Sequence, residues 1–177
     1  HDALPISPIA ILSDHTEKLK KGIVSQHLFP SAALLDPELT LGLPAPVTAA
    51  TGMDALIHAI ESYTSKNATS ISDMLACQAM KLIANSIRTA YADGSNLAAR
   101  SGLLEGSLLA GMAFCTAGVT AVHAFAYPIG AEFHIPHGVA NSIMLTPVME
   151  FNKHVSPESF AKIAEYLGKE TAVLSTR

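Results

Sequence analysis

The chain changes rhythm near Val47. Before that point, short apolar runs alternate with polar stretches. Pro8–Leu12 (PIAIL) is followed by SDHTEKLKKG, and GIVSQHLFPSAALLD offers two further short runs bounded by Pro30 and Asp36. Such runs read as strands or strand fragments. DPELTLGLPAP is a Pro-rich connector whose leucines are available to a core. From Val47 onward the apolar positions recur at helical spacing. Thr48 is placed to cap a helix running through Asp54, His58 and Tyr63 to about Ser65. Asn67–Ser70 is turn-like, and Ile71–Tyr91 carries a helical stripe of Met74, Leu75, Ala79, Leu82, Ile83 and Ile87. After the Asp93-Gly94-Ser95 turn, Asn96–Cys115 is a helix rich in Ala, Gly and Ser, which suits close helix–helix approach. Gly118–Gly130 is a shorter helix bearing His123 and Tyr127, kinked at Pro128. His137 opens another helix just after Pro136, interrupted at Pro147, and Pro157–Leu167 is an amphipathic helix ended by Gly168. No repeat or low-complexity tract appears. The pattern predicts a mainly α chain with a short β-containing N-terminal piece. The boundary falls between residues 1–42 and residues 43–177.

Composition narrows the function classes. The 177 residues suffice for one domain with a core, and 49% hydrophobic with 15% charged residues is too apolar for disorder. A formal charge of −4, with no basic run and no clustered aromatics, argues against nucleic acid as partner. Polar residues break every apolar stretch, so no span of about 20 residues suits a bilayer. No signal peptide is visible, although His1 is not a natural start. Cys77 and Cys115 stand in separate helical segments and read as buried, reduced thiols of a cytoplasmic protein. A CxxC-type zinc site is absent.

Four residues carry the most chemistry. Asp54 and His58 are spaced i, i+4 in TGMDALIHAIESY and share one helix face. His123 and His137 lie fourteen apart in VHAFAYPIGAEFHIPHG. One carboxylate and three imidazoles suffice to hold a first-row divalent metal with a position left open. Each residue also has an ordinary reading: an i, i+4 surface pair, a satisfied core histidine, a polar residue at a helix start. The absence of thiolates disfavours a structural zinc site. His134, three residues before His137, need not face a metal. His1, His15, His27 and His154 read as surface histidines.

The segments AATGMDALIHAIE, GLLEGSLLAGMAF and HIPHGVANSIMLTPVMEFN resemble, in order, the iron-containing (group III) alcohol dehydrogenases. The resemblance runs from about Ser7 or Pro8 to at least Asn152. His1–Ile6 do not match, and the C-terminal LGKETAVLSTR looks incomplete, as in a truncated fragment. The resemblance implies the helical metal-binding domain of the dehydroquinate synthase-like, iron alcohol dehydrogenase fold, preceded by the end of a Rossmann-like α/β cofactor domain. It implies iron(II), with zinc or another divalent ion as alternative, held by Asp54, His58, His123 and His137. It implies NAD or NADP as hydride partner, although the Gly-rich phosphate turn of the family is not in this chain. The substrate expected is a small or primary alcohol, or its aldehyde, and the full-length protein is expected to be a homo-oligomer.

Two further positions follow from the same resemblance. Lys20 aligns with a lysine that contacts the cofactor in relatives; the plain reading of Lys18, Lys20 and Lys21 is a solvated charge run. Tyr127 stands where many members of the family have a histidine near nicotinamide and substrate. Its hydroxyl suits a hydrogen bond or proton relay, but an ordinary pKa near about 10 makes it a poor base, and an aromatic filler is the alternative. On the same scaffold, a hydroxyacid–oxoacid transhydrogenase or a maleylacetate reductase-like enzyme is the competing activity. A non-catalytic metal-binding helical module is the competing class.

Overall fold

The computed structural model describes residues 9–14 and 19–169. Strands β1 (Ile9–Asp14) and β2 (Leu19–Val24) pair antiparallel, with Ile9 opposite Val24 and Asp14 opposite Leu19. Two 3-10 turns follow, at Gln26–Leu28 and Pro37–Thr40. Six helices complete the described chain: α1 (Ala45–Thr64), α2 (Ser70–Ala92), α3 (Leu97–Ala117), α4 (Ala121–Phe133), α5 (His137–Asn152) and α6 (Pro157–Tyr166). The chain is mainly helical, as its periodicity predicts.

Several boundaries differ from the sequence expectations. Ser31–Leu35 forms no strand, and Leu34 is 95% exposed. Pro30 and Pro37 flank that run, and no neighbouring strand offers it a ladder. Helix α1 begins at Ala45, with Pro46 in its first turn, where the missing N–H costs nothing. Thr48 therefore lies inside the helix and is not its cap. It is buried and accepts a hydrogen bond from Arg100 Nη1 at 2.6 Å. Gly118 closes α3 with φ of 76°, and α4 starts three residues later than expected. Helix α5 continues through Pro147 to Asn152, and α4 through Pro128 to Phe133. Cys77 and Cys115 form no disulfide, but each is only half-buried.

Helix ends follow local chemistry. Thr69 and Ser72 form a reciprocal capping box at the start of α2, and Asn96 Oδ1 accepts from Ala99 N at the start of α3. Small residues set the packing. Helices α1, α2 and α3 pack against one another as a three-helix bundle, α5 lies on α1, α4 lies on α5, and α6 rests on α2. Ala55, Ala59, Ala76, Ala79, Met80, Ile83, Ala110 and Ala113 make the main core. A Cβ on Gly106 would meet the Ile83 side chain at 2.6 Å, so α3 approaches α2 as closely as glycine allows. A second cluster, Ile57, Val122 and Val148, joins α1, α4 and α5. Among the described residues no single helix is long and apolar enough to cross a membrane; α3 and α4 meet at 106°.

Candidate metal centre

The second cluster brings three helices together around Asp54. Asp54 and His58 project from one face of α1, His123 is the third residue of α4, and His137 is the first of α5. Asp54 Oδ1 lies 3.6 Å from His123 Nε2 and 3.7 Å from His137 Nε2. The ligand atoms of Asp54, His58 and His123 all lie within 4.8 Å of one another. His137 joins this group through Asp54 from the more open side, with its side chain 19% exposed. Ring centroids are 4.3 Å apart for His58 and His123, and 5.4 Å apart for His123 and His137.

Hydrogen bonds fix which nitrogen of each ring faces the cluster. His58 Nδ1 is 2.9 Å from the Asp54 carbonyl oxygen, an acceptor, so Nδ1 carries the proton and Nε2 the lone pair. His123 Nδ1 lies 2.5 Å from Glu61 Oε2, so in the neutral, metal-binding form of this ring the lone pair is again on Nε2. Asn141 Nδ2 donates to Asp54 Oδ1 at 2.5 Å and lies 3.1 Å from His137 Nε2, which must accept.

His123 Nε2 is buried and has no hydrogen-bond partner. Burying a polar nitrogen without a partner costs about 1–3 kcal/mol. A divalent ion would satisfy it, because donors at about 2.0–2.2 Å from one ion lie about 3.0–3.6 Å apart. Of the spacings around Asp54, the 3.6 Å one to His123 sits at the upper edge of that range and the 3.7 Å one to His137 just beyond it, so the residues present fit a metal with a small inward shift on binding.

The charges point the same way. Burial works against ionisation of Asp54, yet the facing imidazoles of His123, His58 and His137 outweigh it and bring the carboxyl down to about 2. Burial, and then the neighbouring His123, push His58 down to about 4. Burial also opposes charge on His123, but Asp54 and Glu61 outweigh it and raise that imidazole to about 9. At neutral pH the metal-free set thus holds an anionic carboxylate, a neutral His58 and a protonated His123, whose proton a bound metal ion would replace.

Aromatic rings flank the donors. Phe114 of α3 stacks on His58 at 4.7 Å, and Tyr127 lies parallel to His137, with 5.5 Å between centroids and 7° between planes. Tyr127 is half-buried; burial first, then the Asp54 and Glu61 carboxylates, push its hydroxyl up. It therefore stays protonated at neutral pH and can donate a hydrogen bond. His134 ends α4 in a left-handed conformation and is exposed, as are His27 and His154. Lys20 lies on β2 opposite Ser13, and the role expected of its side chain falls outside the described residues, as do His1 and His15.

The sequence reading missed two polar residues. Glu61 and Asn141 are fully buried and touch the donors directly. Their spacing was a usable signal: Glu61 follows His58 by three residues and Asn141 follows His137 by four, each on the same helix face as its partner.

Comparison with known proteins places the chain in a family. Residues 48–176 match the model of the Fe-containing alcohol dehydrogenase family, C-terminal part. The 1,3-propanediol dehydrogenase of Citrobacter freundii is 50% identical over 94% of this chain, which covers 43% of that protein. The NAD-dependent methanol dehydrogenase of Bacillus methanolicus is 40% identical over 95% of this chain, covering 44% of that one. A crystal structure of 1,3-propanediol oxidoreductase superimposes with a TM-score of 0.93 at 46% identity, over 97% of this chain and 45% of that one. The chain thus spans less than half the length of these relatives, and it belongs to the iron-containing alcohol dehydrogenase family.

Proposed function

We propose that this chain carries the metal-binding half of an NAD(P)-dependent dehydrogenase that interconverts a small primary alcohol and its aldehyde. The observation that carries the reading is the convergence of Asp54, His58, His123 and His137, with His123 Nε2 buried and unpartnered. Asp54 would supply the anionic oxygen and the three histidines their Nε2 atoms. Iron is the metal for which the family is named, and its ferrous ion suits these donors, as do zinc and other first-row ions. The bound ion would act as a Lewis acid, acidifying an alcohol hydroxyl or polarising an aldehyde carbonyl while hydride passes between carbon and nicotinamide.

The chain's own residues set the conditions for that exchange. Phe114 and the buried faces of α1 and α4 exclude water behind His58 and His123. The half-exposed His137 and Tyr127 mark the open side, where substrate would approach. There the Tyr127 hydroxyl would donate a hydrogen bond to substrate oxygen. Residues up to 42 would form the end of the cofactor domain and residues from 43 the metal-binding domain, with Lys20 reaching the dinucleotide. Two relatives, a 1,3-propanediol dehydrogenase and an NAD-dependent methanol dehydrogenase, support a small alcohol and NAD.

The test uses the full-length protein. NAD(P)-dependent oxidation of short primary alcohols should vanish on chelation and return with iron(II). His123→Ala should lose metal and turnover together, by more than the 10–100-fold common for outer residues. Stoichiometric metal and normal turnover in that variant would exclude His123 as a ligand. Turnover that survives complete metal removal would sink the reading.

A further inference from the structure

We infer that Glu61 is a positioning residue for the metal centre, acting through His123. The inference rests on the metal reading above and adds a residue that reading does not use. Glu61 is fully buried on α1, one turn beyond His58, and its carboxylate spans the gap to the start of α4. Oε1 accepts from Thr120 N at 3.0 Å, from the Thr120 hydroxyl and from Val122 N at 2.8 Å. Oε2 lies 3.4 Å from His123 N and 2.5 Å from His123 Nδ1. Thr120 makes no side-chain cap of its own, so the carboxylate of another helix takes the place of a cap at this N-terminus.

Two things follow from the same contacts. The turn between α3 and α4 is pinned from α1 at both ends, since Ser65 Oγ also donates to the Ala117 carbonyl at 2.6 Å. His123 is held in one tautomer as well. A carboxylate accepts but does not donate, so Nδ1 keeps the proton and Nε2 presents its lone pair toward Asp54. Carboxylate–histidine pairs of this kind orient the ring and raise its donor strength toward a metal. Glu61 does not reach the metal position itself, because its carboxylate lies on the far edge of the His123 ring.

A cap and a positioning carboxylate are separable. Glu61→Gln in the full-length protein keeps the size but offers one acceptor oxygen, too few for both the α4 amides and the imidazole. Titration with Co(II) should show a 10–100-fold loss of affinity and an altered visible Co(II) spectrum. Thr120→Val removes one cap contact and leaves the His123 contact, so its affinity and spectrum should match wild type. Glu61→Gln with wild-type affinity and spectrum overturns the inference and leaves the metal reading standing. Wild-type protein that takes up no Co(II) overturns the metal reading, and this inference with it. If Glu61→Gln does not fold, the 15N ring resonances of His123 in zinc-loaded wild-type protein decide. A proton on Nδ1, shifted far downfield, supports the inference; its absence overturns it.

Discussion

Gly138 sits against the backbone of Ala50. A Cβ at Gly138 would lie 2.0 Å from the Ala50 carbonyl oxygen and 2.7 Å from its carbonyl carbon. Neither atom can rotate away, so α5 and α1 touch backbone to backbone at this level. The contact is adjacent to His137 and one turn before Asp54, and it fixes the distance between them. Gly138→Ala should therefore force α5 outward. The expected cost is about 3 kcal/mol or more, the upper end for overpacking. Metal affinity should fall with it, because His137 and Asn141 both leave Asp54. Thermal unfolding and metal titration check both effects; a variant that keeps wild-type affinity would show that α5 can shift without moving His137.

Metal binding should depend on pH through His123. Its imidazole is raised to about 9 in the metal-free fold, whereas His58 lies at about 4 and Asp54 at about 2. A metal takes the deprotonated ring, so below about pH 9 it must displace the His123 proton, while His58 and Asp54 present none above about pH 5. Affinity should rise about tenfold per pH unit from this residue between pH 6 and 8, then level off near 9. Calorimetric titration in buffers of different ionisation enthalpy counts the released proton. Affinity that is flat across this window would show that His123 is already neutral.

Tyr127 offers a ring and a hydroxyl, and one substitution separates them. The ring lies parallel to His137, and phenylalanine preserves that stacking. Tyr127→Phe should leave metal affinity within about threefold. Turnover of the full-length enzyme should fall by about 100-fold if the hydroxyl serves the substrate. Unchanged turnover from pH 6 to 10 would reduce Tyr127 to a spacer.

Arg100 holds the beginning of α1 in place. It is buried, and it donates to the Thr48 hydroxyl at 2.6 Å, the Gly94 carbonyl at 3.0 Å and the Leu43 carbonyl at 3.1 Å. Arg100→Met removes all three donors and strands their acceptors, which should cost about 3 kcal/mol. Thr48 lies about 9 Å along the helix from Asp54, so metal affinity should stay within about threefold. Chemical denaturation reads the first effect and Co(II) titration the second.

What the sequence disclosed followed from the range of each interaction. The helices were legible because their apolar stripes repeat locally, and Asp54 and His58 because i, i+4 residues share a face. The link from α1 to His123 and His137 came from resemblance, since nothing local joins positions 58 and 123. Thr48 was misread for the same reason: a threonine near a helix start looks like a cap, while its partner is 52 residues away. Ser31–Leu35 was misread because a short apolar run forms a strand only where a neighbour offers hydrogen bonds. Glu61 was overlooked because a carboxylate on a helix usually faces water; only the turn that α4 makes against α1 buries it.

Among the described residues, every donor that faces the centre comes from α1, α4 or α5. The donors, the carboxylate behind them and the glycine that sets their spacing therefore travel as one heritable block. A recombination point in the Pro-rich connector before Ala45 would hand that block intact to a different upstream partner. With the dinucleotide held upstream of that junction, as proposed above, ion preference and dinucleotide preference would then be free to drift apart.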